Sequence, residues 1–273
     1  MSPFFYGIRP SRSISHVTLR TFVIFYIEKE WYNVGMERIM EENHMYDLRT
    51  WKHIFKLDPN KEIDDTSLEK ICESGTDCVM IGGTDGVTLE NVLNLMARVR
   101  RFPLPCALEV SNIDSISPGF DLYFIPTVLN SQNPDWIIGH HHQAIKEYGH
   151  FIDWKEMVVE GYCILNENSK VAKITGAKTD LSLDDIEAYA VMADKMLTLP
   201  VFYLEYSGTY GDPDVVQCVK EQLEKSILFY GGGITTAERA REMKTYADVI
   251  VVGNVIYDNL QEALKTVKAV KEF

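Results

Sequence analysis

The sequence predicts one (β/α)8 barrel over residues 45–273, and three observations carry this prediction. Eight short runs rich in β-branched and aromatic residues follow one another along the chain. Segments with helical periodicity separate most of them, and glycine clusters follow the seventh and eighth runs. Alternation of strand and helix at this chain length is typical of such a barrel. A doubly wound open sheet is the main alternative, but it normally carries its glycine-rich turn after the first strand.

The predicted strands are short and bounded by turn residues or helical segments. They are HIFKL (53–57), CVMIG (78–82), CALEV (106–110), LYFIP (122–126), EGYCIL (160–165), VFYLEY (201–206), ILFYG (227–231) and VIVVG (249–253). Helical periodicity is clearest at 87–101, 182–197, 212–225, 235–245 and 259–271. Asp, Ser or Thr opens several of these segments in a capping position.

Two connections depart from the regular alternation. Between the third and fourth strands, residues 111–121 include Pro118 and Gly119 and leave no room for a full helix. We therefore expect a gap in the outer ring of helices at this place. After the fifth strand, residues 166–180 are polar and lack clear periodicity, so we expect a mobile lid or a disordered insertion.

Residues 1–44 read as an N-terminal extension outside the barrel domain. The apolar run TFVIFYI (21–27) is short, and EKEWYN follows it where a signal peptide would need small residues. The regular alternation of strands and helices begins only after residue 45. The predicted organisation is thus an extension at 1–44 and a single barrel domain at 45–273.

The net charge and the cysteine content indicate which binding partners and which cellular compartment suit this protein. The formal net charge of −13 works against binding to nucleic acid and against long-range attraction to anionic lipid. A phosphate-bearing ligand therefore needs a local donor site. The five cysteines are scattered and lie mostly in apolar runs, which favours buried reduced thiols in a cytoplasmic protein.

Glycine clusters close the seventh and eighth predicted strands, in FYGGGI (229–234) and VIVVGN (249–254). Glycine weakens a strand interior, so a cluster at a strand end indicates that another backbone or a ligand comes close. The loops after the last two strands of such barrels, with a helix N-terminus behind them, commonly bind phosphate through backbone N–H groups. We predict a phosphate site at Gly231–Gly233 and Gly253–Asn254, with tight turns alone as the alternative.

The sixth predicted strand ends in YLEYSG (203–208). Its two-residue period places Tyr203, Glu205 and Ser207 on one face, and Leu204 and Tyr206 on the other. An acid between two hydroxyl groups suits a polyol that lies beside a phosphate. Glu205 is thus predicted to accept hydrogen bonds or a proton from ligand hydroxyls, with an ion pair inside the barrel as the alternative.

The first two strands end in charged and hydroxyl-bearing residues. In FKLDP, Lys56 and Asp58 share a face, and GGTDG after the second strand brings Thr84 and Asp85 near Asp58 if the barrel closes. Carboxylate and hydroxyl oxygens near phosphates are the setting that Mg²⁺ prefers. A plain Lys–Asp salt bridge remains the alternative.

Six motifs, in the same order, give the chain a resemblance to a known family. They are WKHIFKLDPNK, IGGTDGVT, PGFDLYFIPTVLNS, FYLEYSGTYGD, LFYGGGI and VIVVGN. From about residue 45 to the C-terminus the chain resembles the geranylgeranylglyceryl phosphate synthase family, and within it the bacterial heptaprenylglyceryl phosphate synthase branch. Residues 1–44 have no counterpart in that family.

The resemblance implies a modified (β/α)8 TIM barrel that lacks an ordinary third helix. It also implies a Mg²⁺-dependent prenyltransferase of lipid biosynthesis, which joins sn-glycerol 1-phosphate to a polyprenyl diphosphate, heptaprenyl in this branch, and releases diphosphate. A homodimer and transient membrane contact of the prenyl product are further implications. Carried over by motif, the substrate residues are Lys56, Tyr203, Leu204, Glu205, Tyr206, Ser207, Gly208, Gly233, Gly253 and Asn254, and the metal residues are Asp58 and Thr84.

The residues themselves are consistent with this chemistry. Mg²⁺ on Asp58 would stabilise the leaving diphosphate, and the glycerol, held through its phosphate, would present a hydroxyl to the allylic carbon. Glu205 would orient that hydroxyl and take its proton. We expect the prenyl chain to occupy an apolar groove at the gap beside the third and fourth strands.

Two other classes of function stay open. A phosphosugar isomerase or decarboxylase on the same barrel would share the phosphate site but would need a facing acid and base and no prenyl groove. A non-enzymatic interaction module would keep the barrel as a scaffold.

Overall fold

The computed structural model describes residues 46–272, so the extension predicted at 1–44 lies outside the described residues. Within them, eight parallel strands follow one another around a closed barrel, and β8 pairs with β1. The predicted (β/α)8 barrel is thereby confirmed. The strands are β1 His53–Leu57, β2 Cys78–Ile81, β3 Cys106–Glu109, β4 Leu122–Val128, β5 Met157–Ile164, β6 Val201–Glu205, β7 Ile227–Gly231 and β8 Val249–Val252.

Helices connect most of the strands on the outside of the barrel. The α-helices of the described chain are α1 Asp65–Cys72, α2 Leu89–Val99, α3 Gly139–Tyr148, α4 Lys170–Thr175, α5 Leu183–Val191, α6 Pro213–Gln222, α7 Ala237–Lys244, α8 Val255–Asp258 and α9 Leu260–Lys271. A π-helical turn, Met192–Met196, continues α5. None of the helices in this part of the chain has the length and apolarity needed to cross a bilayer.

Capping residues set where several helices begin. At α2, the Thr88 side chain accepts a hydrogen bond from the Asn91 backbone N–H, and the Asn91 side chain accepts one from the Thr88 backbone. Ser182 and Asp185 form the same reciprocal pair at α5. Each pair satisfies two backbone N–H groups that the first turn of a helix leaves without partners.

The core has two layers, because successive strand residues point to opposite faces. Val201 and Tyr203 of β6 belong to the cluster inside the barrel. Phe202 and Leu204 of the same strand belong to the cluster between the strands and the helices. The two faces predicted for β6 are therefore confirmed for these residues.

The connection between β3 and β4 holds a single 3-10 turn, Ile113–Ser115, and no α-helix. This confirms the expected absence of an ordinary third helix. The connection after β5 differs from expectation, because it contains α4 rather than an unstructured insertion. Ser169 caps α4 through the Ala172 N–H, and Gly176 ends it with φ +63°, a conformation that glycine adopts without strain. Contacts of Ser131 with residues 175–177 further fix this connection.

The cysteines occupy both strands and helices of the barrel. Four are buried, namely Cys72, Cys78, Cys106 and Cys163, and Cys218 is half-buried. All five are free thiols. Burial raises the pKa of Cys72, Cys106 and Cys163 to about 12, which makes their thiols poor nucleophiles at neutral pH.

Candidate active site

Both glycine clusters, Lys56 and Asp58 lie at the same edge of the barrel, where the strands end. Gly231 pairs with Val251 on the neighbouring strand, and β8 in turn pairs with β1. A Cβ atom placed on Gly253 would lie 3.6 Å from the Lys56 carbonyl oxygen. The β6–α6 loop reaches the same place, since a Cβ on Gly208 would lie 3.3 Å from Nδ2 of Asn254.

The glycines of the triplet make room for other parts of the protein. A Cβ on Gly231 would overlap the hydroxyl of Tyr203 and lie 2.9 Å from two of its ring carbons. Gly232 and Gly233 have φ values of +133° and +61°, and a Cβ on Gly233 would overlap the backbone of Tyr210. The Tyr203 side chain of β6 thus explains Gly231, and close approach of the β6–α6 loop explains Gly232 and Gly233, without a ligand.

Gly253 differs from the triplet. The nearest atom that an added Cβ would meet is the Lys56 carbonyl oxygen at 3.6 Å, which is ordinary van der Waals contact. Packing within the protein therefore does not require glycine at this position. An open backbone beside Asn254 leaves space for a ligand to approach the main chain, as the predicted phosphate site requires.

Glu205 is a buried carboxylate, 6% exposed, whose two oxygens are held by different elements. The Tyr162 hydroxyl of β5 donates to Oε2 at 2.8 Å, and the Ser207 backbone N–H donates to Oε1. Ser207 has φ +42°, an uncommon conformation for a residue with a side chain, which turns this N–H back toward the carboxylate. Within residues 46–272 Glu205 forms no ion pair, and the amino group of Lys56 binds Glu109 instead.

Lys56 and Glu109 form a partly buried ion pair inside the barrel mouth. The Lys56 Nζ lies 2.7 Å from Oε1 and 2.6 Å from Oε2 of Glu109. Burial works against the charge on Lys56, but Glu109, then Glu205, and more weakly Glu160 raise its pKa above the usual value. The expected alternative of a Lys56–Asp58 salt bridge is thus replaced by a pair with β3.

Glu160 of β5 interacts electrostatically with this pair and is fully buried. Neither of its carboxylate oxygens has a hydrogen-bond partner. Burial first, and the charge of Glu109 next, raise the pKa of Glu160 well above its usual value. A neutral carboxylic acid is the form of Glu160 that this environment favours.

Asp58 is fixed at the end of β1 by its own loop and by Tyr257. Its Oδ1 accepts the Asn60 N–H at 2.9 Å, and Tyr257 fixes its backbone through a 2.9 Å bond from the Asp58 N–H to the phenol oxygen. A Cβ on Gly83 would lie 2.6 Å from Oδ1, so the glycine makes room for the Asp58 carboxylate itself. Thr84 follows directly and is exposed at the mouth.

The described residues contain no group of three or more His, Cys, Asp or Glu side chains that would hold a metal by themselves. Mg²⁺ is commonly bound by one or two carboxylates, waters and substrate phosphates, so Asp58 with Thr84 fits that ion.

Two of the predicted substrate residues, Leu204 and Tyr206, turn their side chains away from the inside of the barrel. The Leu204 side chain is buried between strand and helix layers, and Tyr206 packs there against Tyr230 at 5.8 Å between ring centroids. Their side chains do not face the barrel interior. Tyr206 instead contributes its backbone N–H, which donates to the Gly231 carbonyl at 2.7 Å.

Several residues at the site were not predicted from the sequence. Glu109, Glu160 and Tyr162 point into the barrel from β3 and β5, and Asn166 donates to the Ser207 carbonyl at 3.2 Å. An acid within an apolar strand was the available signal for Glu109 and Glu160. Nothing in the sequence marked Asn166 or Tyr162, because their roles depend on contacts across the barrel.

Comparisons with known proteins agree with this geometry. The PcrB family matches residues 46–271. Heptaprenylglyceryl phosphate synthases of Bacillus cereus (strain AH187) and Bacillus mycoides (strain KBAB4) are 60% and 59% identical over 227 residues, which is 83% of this chain and 99% of each relative. The crystal structure of (S)-3-O-geranylgeranylglyceryl phosphate synthase from Thermoplasma acidophilum, in complex with substrate sn-glycerol-1-phosphate, has a TM-score of 0.73 at 23% identity. That match covers 82% of this chain and 95% of the other, and it supports the fold.

Proposed function

This chain belongs to the PcrB family, and we propose that it is a prenyltransferase that joins sn-glycerol 1-phosphate to a long polyprenyl diphosphate. The product is an ether-linked prenylglyceryl phosphate, with heptaprenyl diphosphate as the donor indicated by the Bacillus relatives. The observation that carries the assignment is the open backbone at Gly253–Asn254 beside a fixed carboxylate, Glu205, at one barrel edge. Such an arrangement suits a small polyol that carries a phosphate.

Glu205 is the residue that would orient the glycerol hydroxyl and accept its proton. A carboxylate has about four lone-pair positions, and the donors from Tyr162 and Ser207 occupy only two of them. The fixed geometry leaves each oxygen able to accept a further hydrogen bond. As the new C–O bond forms at the allylic carbon, the bond to diphosphate breaks, the diphosphate leaves with the electron pair, and the hydroxyl proton passes to Glu205.

Asp58 and Thr84 are the proposed holders of Mg²⁺, which when bound would neutralise charge that develops on the leaving diphosphate. Lys56 serves the other substrate in this proposal. Its amino group lies 5.8 Å from the centroid of the Tyr203 ring and is within electrostatic reach of Glu205. Because Glu109 neutralises Lys56, the glycerol phosphate would exchange one anionic partner of this lysine for another, or share it.

Three further proposals concern the prenyl chain, the assembly of the protein and its contact with membranes. The missing helix between β3 and β4 leaves room for an apolar chain, and Ile138, Ile145, Phe151 and Trp154 expose apolar side chains after β4. Family resemblance favours a homodimer and transient membrane contact of the product. Light scattering on the purified protein, and flotation with vesicles in the presence of product, would test these two points.

Activity is tested by incubating the protein with radiolabelled sn-glycerol 1-phosphate, Mg²⁺ and prenyl diphosphates of graded length, followed by extraction into organic solvent. We expect labelled lipid, most of it with the heptaprenyl donor. Glu205→Ala and Asp58→Ala should each nearly abolish transfer with an unchanged circular dichroism spectrum. Glu262→Gln, which removes a half-buried acid paired with the exposed Lys265 on α9, serves as the control and should retain full activity. Absence of labelled lipid with every donor would reject the proposed function.

A further inference from the structure

An ion pair joins two loops across the mouth of the barrel. The Nζ of Lys170, at the start of α4, lies 2.6 Å from Oδ2 of Asp85, in the loop after β2. Strands β2 and β5 stand three positions apart around the barrel, so the pair spans part of the mouth. It therefore lies beside Thr84 and on the side of Asp58.

The Lys170–Asp85 ion pair is too exposed to contribute much to the stability of the fold. The side chains of Lys170 and Asp85 are 70% and 62% exposed. Exposed ion pairs contribute little to stability, because water and salt screen them and two long side chains lose freedom. The amino group can thus leave Asp85 at little cost when a stronger anion arrives.

The backbone that carries Lys170 is fixed independently of the ion pair. Ser169 caps α4, and the Asn166 side chain donates to the Ser207 carbonyl at 3.2 Å and to the Thr209 hydroxyl at 3.1 Å. These bonds tie the start of the loop to the turn that holds Glu205. The backbone at Lys170 is therefore fixed, and its long charged side chain points toward the loop after β2.

At the mouth of the barrel Lys170 lies near the acidic residues Asp85 and Asp58, whereas two other lysines are bound elsewhere. Lys56 is bound by Glu109, and Lys61 donates to the Asn254 side chain on the glycine side at 2.9 Å. Asp85 mainly, and Asp58 more weakly, raise the pKa of Lys170, so the lysine is charged at neutral pH. A diphosphate attracted to Mg²⁺ at Asp58 would meet this cation.

We propose that Lys170 binds the diphosphate group of the prenyl substrate, and that Asp85 holds the lysine in place until the substrate arrives. This inference rests on the proposed function for the identity of the substrate. Lys170 forms an ion pair with the diphosphate and takes no part in proton transfer. Asp85 competes with the diphosphate for the same amino group.

Calorimetric titration of the full chain with inorganic pyrophosphate tests the proposal without turnover. With Mg²⁺ present, Lys170→Met should weaken pyrophosphate binding about tenfold or more, whereas its affinity for sn-glycerol 1-phosphate should stay within twofold of wild type. Lys173→Met, which removes an exposed lysine three residues along the same helix, is the matched control and should bind pyrophosphate normally. Thermal unfolding should show equal stability of both variants.

Asp85→Asn separates direct binding from a purely structural role of the pair. In buffer with EDTA, removal of the competing carboxylate should leave pyrophosphate affinity unchanged or increase it. A loss as large as that of Lys170→Met measured in the same EDTA buffer would show that the loop contact itself matters and would overturn the proposal. Normal pyrophosphate binding by Lys170→Met, or an equal loss in Lys173→Met, would overturn it as well. These results stay distinct from failure of the proposed function, in which wild type forms no labelled lipid.

Discussion

Gly231→Ala tests whether the glycine triplet is required by the packing of the protein itself. An alanine Cβ would lie 2.9 Å from two ring carbons of Tyr203 and overlap its hydroxyl, whereas ordinary contact begins at 3.4 Å. The ring must then retreat by about 0.5 Å or more. It has little room, because Tyr203 is 1% exposed and packs against Tyr162 at 4.8 Å and Phe229 at 6.1 Å between ring centroids.

The expected cost of Gly231→Ala is that of an overpacked core, about 1–3 kcal/mol in the free energy of unfolding. For a chain of this size, each kcal/mol lowers the melting temperature by about 2–4 °C. We expect the melting temperature, measured by calorimetry, to fall by about 4–8 °C for a cost near 2 kcal/mol. Prenyl transfer should fall too, since Tyr203 lies beside Glu205.

A double-mutant cycle with Tyr203→Phe identifies the clash. Tyr203→Phe removes the overlapping oxygen but leaves the two ring carbons, so the double variant should recover part of the loss, with a coupling energy of about 1 kcal/mol. Gly253→Ala is the control for adding a methyl group, because its nearest neighbour is 3.6 Å away. A wild-type melting temperature for Gly231→Ala, or strictly additive effects in the cycle, would refute the packing explanation.

Three further predictions follow from the same structure. Gly253→Ala should keep the wild-type melting temperature but weaken sn-glycerol 1-phosphate binding at least tenfold in calorimetric titration, and unchanged affinity would place the phosphate elsewhere. Burial lowers the pKa of His53 from 6.5 to about 3, so the fold loses stability as pH falls below 6.5, by about 3 kcal/mol at pH 4.5. The free energy of unfolding of His53→Gln, measured with a chemical denaturant, should not show this loss between pH 6.5 and pH 4.5. The same pH dependence in wild type and variant would contradict the assignment of the loss to His53. Because the pKa of Glu160 is raised in the folded protein, the wild type loses stability as pH rises above 4.5, whereas a glutamine at this position cannot ionise. The melting temperature of Glu160→Gln should therefore exceed that of the wild type by an amount that grows as pH rises above 4.5. A difference that does not depend on pH would exclude a buried acid that resists ionisation.

The order of the strands and the edge that carries the site could be predicted from the sequence, because apolar runs and glycine clusters are local signals. The sequence predicts that the fifth strand begins at Glu160, which is wrong, because β5 begins at Met157. A charged residue resembles a strand boundary in the sequence, but Glu160 is fully buried inside the barrel. Glu109 lies inside the predicted strand 106–110, but its role could not be predicted, because that role depends on the ion pair with Lys56 across the barrel.

Features that depend on contacts between distant segments could not be predicted. Helix α4 has only six residues, too few for a periodic pattern, and its position depends on the cap at Ser169 and on the bonds from Asn166 to the β6–α6 loop. The helix predicted at 182–197 was right in place, but its last turn is π-helical from Met192 to Met196. The sequence period did indicate the inward face of Tyr203 and Glu205, whereas the bond from Tyr162 to Glu205 joins residues 43 positions apart.

The two halves of the mouth differ in how far they are organised before substrates bind. On the proposed glycerol side, Glu205 has fixed donors, Tyr203 is packed on two faces, and the Gly231–Gly233 backbone is held by its neighbours. On the proposed diphosphate side, Thr84, Asp85 and Lys170 are exposed. Rigid donors reduce the ordering cost of a small polar ligand, whereas a metal-bound diphosphate brings enough charge to order exposed groups around itself. Changes at Glu205 or Tyr203 should therefore lower the rate of transfer through misplaced geometry, whereas Lys170→Met should act mainly on the affinity for the diphosphate substrate.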